Sequence, residues 1–172
     1  MRLGRTGPSL GAVLLLAGAV AVLAGFDCSG EDGGGGGLGR GTTAEVERVV
    51  DGDTIEVDLD GATEDVRYIG IDTPESVIPG EAPECFGKAA SRANERLVGG
   101  ETVRLVFDEE RRDRYGRLLA YVYVDDLFVN GRLVARGYAT TLEIEPNTAK
   151  AERLAGLEAA AGRTGAGLWD AC

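Results

Sequence analysis

Between Thr43 and Ile71 the chain reads TAEVERVVDGDTIEVDLDGATEDVRYIGI, three short β-rich runs punctuated by two Asp-Gly pairs. The runs are Thr43–Val50, Thr54–Leu59 and Val66–Ile71. In the second, Ile55, Val57 and Leu59 alternate with Thr54, Glu56 and Asp58, the pattern of a strand with one buried face. Asp60-Gly61 marks a hairpin turn, and Pro74 stops the third run. Further on, a helix is expected over Glu84–Val98, with Phe86, Ala89, Ala90, Ala93 and Leu97 on its buried face and Gly99-Gly100 ending it. Thr102–Phe107 and Leu118–Val124 read as two more strands, joined by the charged stretch Asp108–Arg117. Two helices follow, Phe128–Arg136 and Asn147–Ala161, the second burying Ala151, Leu154 and Leu157. Five short antiparallel strands interrupted by a helix after the third predict an α+β fold, a five-stranded Greek-key barrel of the OB type with three helices.

The N-terminal quarter reads differently. Arg2 and Arg5 precede an uncharged apolar run from Leu10 to Phe26, with small residues around Val22-Leu23-Ala24. A secretory signal has this layout, and a retained membrane anchor competes with it, because the run approaches the ~20 residues that span a bilayer. Residues 1–26 are therefore read as signal peptide or anchor. Residues 27–41, carrying Gly33 to Gly37, are read as a flexible tether, and residues 42–172 as the working domain. The protein is expected to be secreted or held on the outer face of the membrane. In that compartment Cys85 and Cys172 are expected to pair as a disulfide. Cys28, just after the apolar run, is left over, and lipidation of Cys28 is one account of it, although Phe26-Asp27 departs from the small residues that a lipoprotein peptidase takes.

Composition removes whole classes of chemistry. The 172 residues include no histidine, which excludes imidazole bases, Ser-His-Asp triads and His-ligated zinc. Lys and Arg number 18 against 29 Asp and Glu, a net charge of −11, and Lys88 and Lys150 are the only lysines. Such acidity argues against tight nucleic-acid binding but leaves room for a local phosphate-handling site. No long exposed apolar run argues for assembly, so a monomer is expected.

Three segments carry candidate chemistry. Asp51-Gly52-Asp53-Thr54 reads first as a tight turn; it opens like a calcium loop, but Ile55 stands where an EF-hand needs its third ligand. In Arg67-Tyr-Ile-Gly-Ile-Asp72-Thr73-Pro74-Glu75, strand alternation puts Arg67 with Ile69 and Ile71, aimed at the barrel interior or its mouth, where it needs a partner. Two acids at the strand end, Asp72 and Glu75, are ordinarily just solvated. Arg111-Arg112-Asp113-Arg114-Tyr115-Gly116-Arg117 is a charged hairpin tip, yet also a local anion site in an acidic chain, because guanidinium forks match phosphate oxygens. Together the segments offer oxygen ligands for a hard divalent cation, a carboxylate to activate water, and arginines for a phosphoryl transition state.

This combination resembles the staphylococcal nuclease (thermonuclease) family from about Glu45 to Trp169. The matching pieces are Val50-Asp51-Gly52-Asp53-Thr54, Arg67 with Ile71-Asp72-Thr73-Pro74-Glu75, Asp113-Arg114-Tyr115-Gly116-Arg117 with Leu119-Ala-Tyr-Val, and Gly167-Leu168-Trp169. The resemblance implies an OB barrel with three helices and a Ca²⁺-dependent endonuclease acting on DNA or RNA, leaving 3′-phosphate and 5′-hydroxyl ends. It further implies that Asp53, Asp72 and the Thr73 carbonyl ligate Ca²⁺ with Asp51 beside the ion, and that Glu75 is the general base. Arg67 and Arg117 would clamp the scissile phosphate, with Arg114 and Tyr115 on a neighbouring one.

Two stretches depart from the family pattern. The lysine-rich loop after Asp-Thr-Pro-Glu is replaced by Ser76–Glu84, which carries Glu81 and Glu84 and no cation. The tyrosines that precede Pro-Asn are replaced by Thr141-Leu142-Glu143-Ile144-Glu145. These departures bear on affinity and base preference. Two alternatives stand beside the nuclease reading: a non-catalytic OB module binding nucleic acid or another polyanion at the cell surface, and, on the tether and the acidity alone, an envelope domain that uses Ca²⁺ for stability.

Overall fold

A computed structural model describes residues 41–76, 80 and 82–172. The expected signal or anchor, Cys28 and all of the tether except Gly41 lie outside the described residues, as does Glu81. In chain order the elements are β1 (Thr42–Val49), β2 (Thr54–Leu59), β3 (Ala62–Tyr68), β4 (Ile71–Asp72), α1 (Gly87–Val98), β5 (Thr102–Val106), β6 (Leu118–Val124), β7 (Leu127–Phe128), α2 (Val129–Ala135), β8 (Thr140–Thr141), α3 (Ala151–Thr164) and α4 (Leu168–Ala171).

Five strands close on themselves. The order β3-β2-β1-β5-β6 is antiparallel throughout, and β3 returns to pair with β6 in parallel, matching Val66 with Leu118, Arg67 with Leu119 and Tyr68 with Ala120. The result is the expected OB-type barrel with helices. Val57, Val66, Tyr68, Val103, Leu105, Ala120 and Val122 fill it, as one-sided alternation requires. Strand β6 is buried on both faces because Tyr121 and Tyr123 pack on Phe128, at ring separations of 6.1 and 5.1 Å, where α2 begins.

The third strand ends sooner than its sequence suggests. It stops at Tyr68, and Gly70 takes a left-handed φ of 79°, a conformation that costs glycine least. Ile71–Asp72 then pairs with Thr140–Thr141 in a separate two-stranded sheet. The expected grouping of Arg67 with Ile69 and Ile71 on one face therefore fails: Val66 and Tyr68 supply the core, and Arg67 between them faces the other way.

Helix α1 starts at Gly87 rather than Glu84, because Phe86 adopts a left-handed φ of 70°. Its buried side is Gly87, Ala90, Ala93, Asn94 and Val98, a stripe rotated from the expected one, with Phe86, Ala89 and Leu97 only half-buried. Phe128 belongs to β7, not to α2. Helix α3 starts at Ala151 instead of Asn147, since the Asn147 side chain is spent on the backbone of Glu110, to which it both donates and accepts at 2.8 Å. Of its expected stripe Leu154 is buried, Ala151 and Leu157 are half-buried, and Ala161 completes the face. The short α4 carries Trp169, 41% exposed, and docks through the Leu168 N–H onto Gly137 O at 2.9 Å.

Candidate active site

The turn between β1 and β2 builds the first wall. The Asp53 N–H donates to Asp51 Oδ1 at 3.0 Å, an Asx turn that fixes both acids. A Cβ on Gly52 would lie 2.5 Å from Thr73 Oγ1 and 2.7 Å from Thr73 Cβ, so the absence of a side chain is what lets Thr73 reach Asp53. The Thr73 N–H and hydroxyl both donate to Asp53 Oδ2, at 2.8 and 3.1 Å.

Arg67 spans the gap between the acids. One of its nitrogens bonds Asp53 Oδ1, and the other bonds Asp72 Oδ1 at 2.5 Å and Ile71 O at 3.4 Å. Exposure is graded across this bridge: side-chain values are 1% for Asp53, 16% for Arg67 and 52% for Asp72. One end is sealed and the other faces solvent.

The cluster is short of positive charge. Burial pushes the Asp53 carboxyl up to about 7, with Asp51 adding to the rise and Arg67 offsetting it only in part. Burial also works against the Arg67 charge, but Asp53, Asp72 and Asp51 outweigh it and raise that group above its ordinary value. Glu75 is exposed, and among the described residues no hydrogen bond fixes its carboxylate. Its pKa is raised by partial burial, then by Asp51, Asp72 and Glu84, against the pull of Arg67. The Glu75 carboxylate thus shares the field of the cluster, and a raised carboxyl is a better proton acceptor.

A second group sits on the hairpin between β5 and β6. Asp113 Oδ1 accepts the N–H groups of Tyr115 and Arg117, at 2.9 and 3.0 Å, and Oδ2 accepts Arg117 Nε and Nη2, both at 2.8 Å. Burial would raise the Asp113 carboxyl, but these bonds outweigh it and hold it below the usual range. Arg114 bonds the Tyr115 hydroxyl at 2.5 Å and lies over its ring. Arg112 is paired with Glu64 through two bonds at 2.8 Å.

Asp51, Asp53, Arg67, Asp72 and Thr73 therefore meet directly, with Glu75 in their field, while Arg114, Tyr115 and Arg117 form a separate set. The barrel's parallel closure relates the two. Arg117 immediately precedes β6, whose Leu119 is the register partner of Arg67.

Several supporting residues escaped the sequence reading. Buried Asn94 accepts the Tyr68 hydroxyl and donates to Asp51 O, both at 3.0 Å. Buried Asn130 donates to Ile69 O and accepts the Val122 N–H, both at 2.9 Å, locking the end of β3. The available signal was an asparagine within an apolar helix stripe. Asp113 was legible only as a turn residue.

The model of the family described as staphylococcal nuclease homologue matches residues 65–171. The chain belongs to that family. The matched stretch contains Arg67, Asp72, Thr73, Glu75, Arg114, Tyr115 and Arg117 and begins after Asp51 and Asp53. Among nuclease relatives, a thermonuclease of Staphylococcus hyicus is 39% identical over 127 residues, 74% of this chain and 75% of that protein. A thermonuclease of Staphylococcus intermedius is 45% identical over 108 residues, 63% of this chain and 64% of that protein. Endonuclease YncB of Bacillus subtilis is 45% identical over 105 residues, 60% of this chain and only half, 50%, of its own length.

The nuclease fold raises the question of a metal. Among the described residues no three acidic side chains converge on one point. Asp53 and Asp72 instead converge on the Arg67 guanidinium, and Asp51, Asp53, Asp72 and the Thr73 carbonyl are oxygen donors of the class that hard divalent ions take.

Proposed function

We propose that this protein is an exported, Ca²⁺-dependent endonuclease that hydrolyses DNA or RNA to 3′-phosphate and 5′-hydroxyl ends. The observation that carries the reading is the Arg67 bridge between Asp53 and Asp72, which presents a fixed, half-desolvated guanidinium beside a base-like Glu75. Asp53, Asp72 and the Thr73 carbonyl would hold Ca²⁺, with Asp51 beside it. Bound there, the ion would offset the carboxylate charge that repels a phosphodiester and polarise its oxygen.

The chain's own residues supply the rest. Arg67 cannot swing away without abandoning Asp53, so its position is set before substrate arrives. Arg117 spends Nε and Nη2 on Asp113, which leaves Nη1 for a phosphoryl oxygen. Glu75 takes the proton from a water that attacks phosphorus; the bond to the 5′ oxygen breaks, that oxygen takes a proton from solvent water, and Glu75 returns its proton to solvent. Arg114 and Tyr115, locked together, suit the adjacent phosphate.

Export is supported by the run Leu10–Phe26 ahead of a Gly-rich tether, and lipidation by Cys28. The N-terminal sequence and intact mass of the mature protein test both, and sedimentation tests the expected monomer. The main test uses the full chain on denatured DNA and on RNA, with Ca²⁺ and then with chelator, beside Glu75→Gln. Calcium-dependent cutting that the variant loses by about 10²–10⁴-fold supports the mechanism. A folded, calcium-loaded protein that cuts nothing at low or high salt would instead be a binding module.

A further inference from the structure

Among the described residues no hydrogen bond fixes the Glu75 carboxylate, whereas one residue holds the Glu75 backbone at both ends. The Glu75 N–H donates to Glu84 Oε2 at 2.8 Å, while the Glu84 N–H donates to Glu75 O at 3.0 Å. Glu84 O in turn accepts the Gly87 N–H at 3.0 Å, at the head of α1. A Cβ on Gly87 would meet Glu75 O at 2.3 Å, so the Glu75 backbone rests directly on the helix start.

The residue after Glu84 is covalently anchored. Cys85 is disulfide-bonded to Cys172, with Cα atoms 6.0 Å apart. Cys172 follows α4, which is tightly seated: a Cβ on Gly137 would lie 1.9 Å from Ala166 O, and one on Gly167 would lie 2.3 Å from Gly137 O. Around the disulfide, packing is sparse. Both cysteines are exposed, Phe86 is only half-buried against Tyr138, and an open cleft of about 340 Å³ lined by Asp72, Pro74, Glu84, Cys85, Leu168 and Cys172 separates the site from α4.

We infer that Glu84, anchored by the Cys85–Cys172 disulfide, is the positioning residue that aims Glu75 at its water. The path runs from the barrel through Gly137 and α4 to the disulfide, then through Glu84 to the base. A reactive group must be held to a fraction of an ångström for full effect, and here a covalent bond does for an open surface loop what burial does for Arg67. This rests on Glu75 being the base of the proposed hydrolysis.

The test compares full-length Glu84→Ala, Glu84→Gln and Cys85→Ser/Cys172→Ser with the parent protein. Two readouts are used: steady-state cleavage of denatured DNA with Ca²⁺, and amide hydrogen exchange at Glu75 without metal or substrate. Glu84→Ala and the double serine variant should lower kcat about 10- to 100-fold with KM changed by less than about threefold. Glu84→Gln, whose amide oxygen still accepts the Glu75 N–H, should stay within about threefold of the parent. Glu75 amide exchange should accelerate about tenfold or more in Glu84→Ala but not in Glu84→Gln. Parental kcat and parental Glu75 protection in Glu84→Ala would overturn the inference. So would equal losses in the Ala and Gln variants, which would make charge, not the hydrogen bond, the operative property. If the parent itself cuts no nucleic acid, the nuclease reading fails, while the exchange comparison still decides whether Glu84 holds Glu75.

Discussion

Arg67 and Arg117 look equivalent as phosphate ligands, yet their surroundings predict different consequences of removing them. Arg67→Ala strands the buried Asp53 carboxylate without its counter-charge, and should destabilise the protein by about 3–5 kcal/mol as well as abolish turnover. Arg117→Ala breaks a partly exposed pair with Asp113 and should change stability by no more than about 1 kcal/mol while still lowering kcat. Urea denaturation of the two variants beside their kinetics checks this. Equal destabilisation would mean that the Arg67 bridge carries no structural burden. Leu142 and Ile144, 39% and 60% exposed, offer an apolar but not aromatic surface in the stretch where the family has tyrosines. Leu142→Tyr/Ile144→Tyr should tighten binding of a mononucleotide bisphosphate about tenfold, as added stacking on one base would; titration calorimetry reads that directly.

At the scale of elements, the site is a junction of three turns, and the close approach of Gly52 to Thr73 is its tightest point. Gly52→Ala should force Thr73 off Asp53, lower stability by about 1–3 kcal/mol and weaken Ca²⁺ affinity; a melting curve and a calcium titration on one preparation check both. The barrel was legible because alternation such as Ile55 and Val57 against Thr54 and Glu56 depends only on neighbours two residues apart. The acids and arginines were legible as residue types for the same local reason. The end of β3 was not, since one left-handed residue at Gly70 resets the pleat and sends Ile71–Asp72 to a different partner. Nor were Asn94 and Asn130, whose hydrogen bonds reach 43 and 61 residues along the chain, a distance at which local spacing says nothing.

Across the whole molecule, pH and calcium should act on stability through the same carboxylate. Folded Asp53 binds its proton more tightly than the unfolded chain does, about 7 against an ordinary 3.8. Between those values the folded state holds more protons, so this group's contribution to stability falls as pH rises from about 4 to about 7. Asp113 is shifted the other way and so acts below that window. A cation that binds ionised Asp53 should therefore raise Tm more at pH 7 than at pH 5. Calorimetry with and without Ca²⁺ at both pH values decides it, and an increment that is the same at both would remove Asp53 from the ligand set.

The docking of α4 also determines what light can report. The sequence has one tryptophan, and Trp169 sits half-open to solvent on α4, next to the tie that holds Glu84. Tyr68 is buried inside the barrel, and Tyr121 and Tyr123 against its outer face, at 1–4% exposure. Emission excited at the red edge will thus follow detachment of the C-terminal helix, whereas near-ultraviolet dichroism of the tyrosines will follow collapse of the barrel. Run side by side on a disulfide-free variant, the two signals should separate in temperature, with the indole moving first.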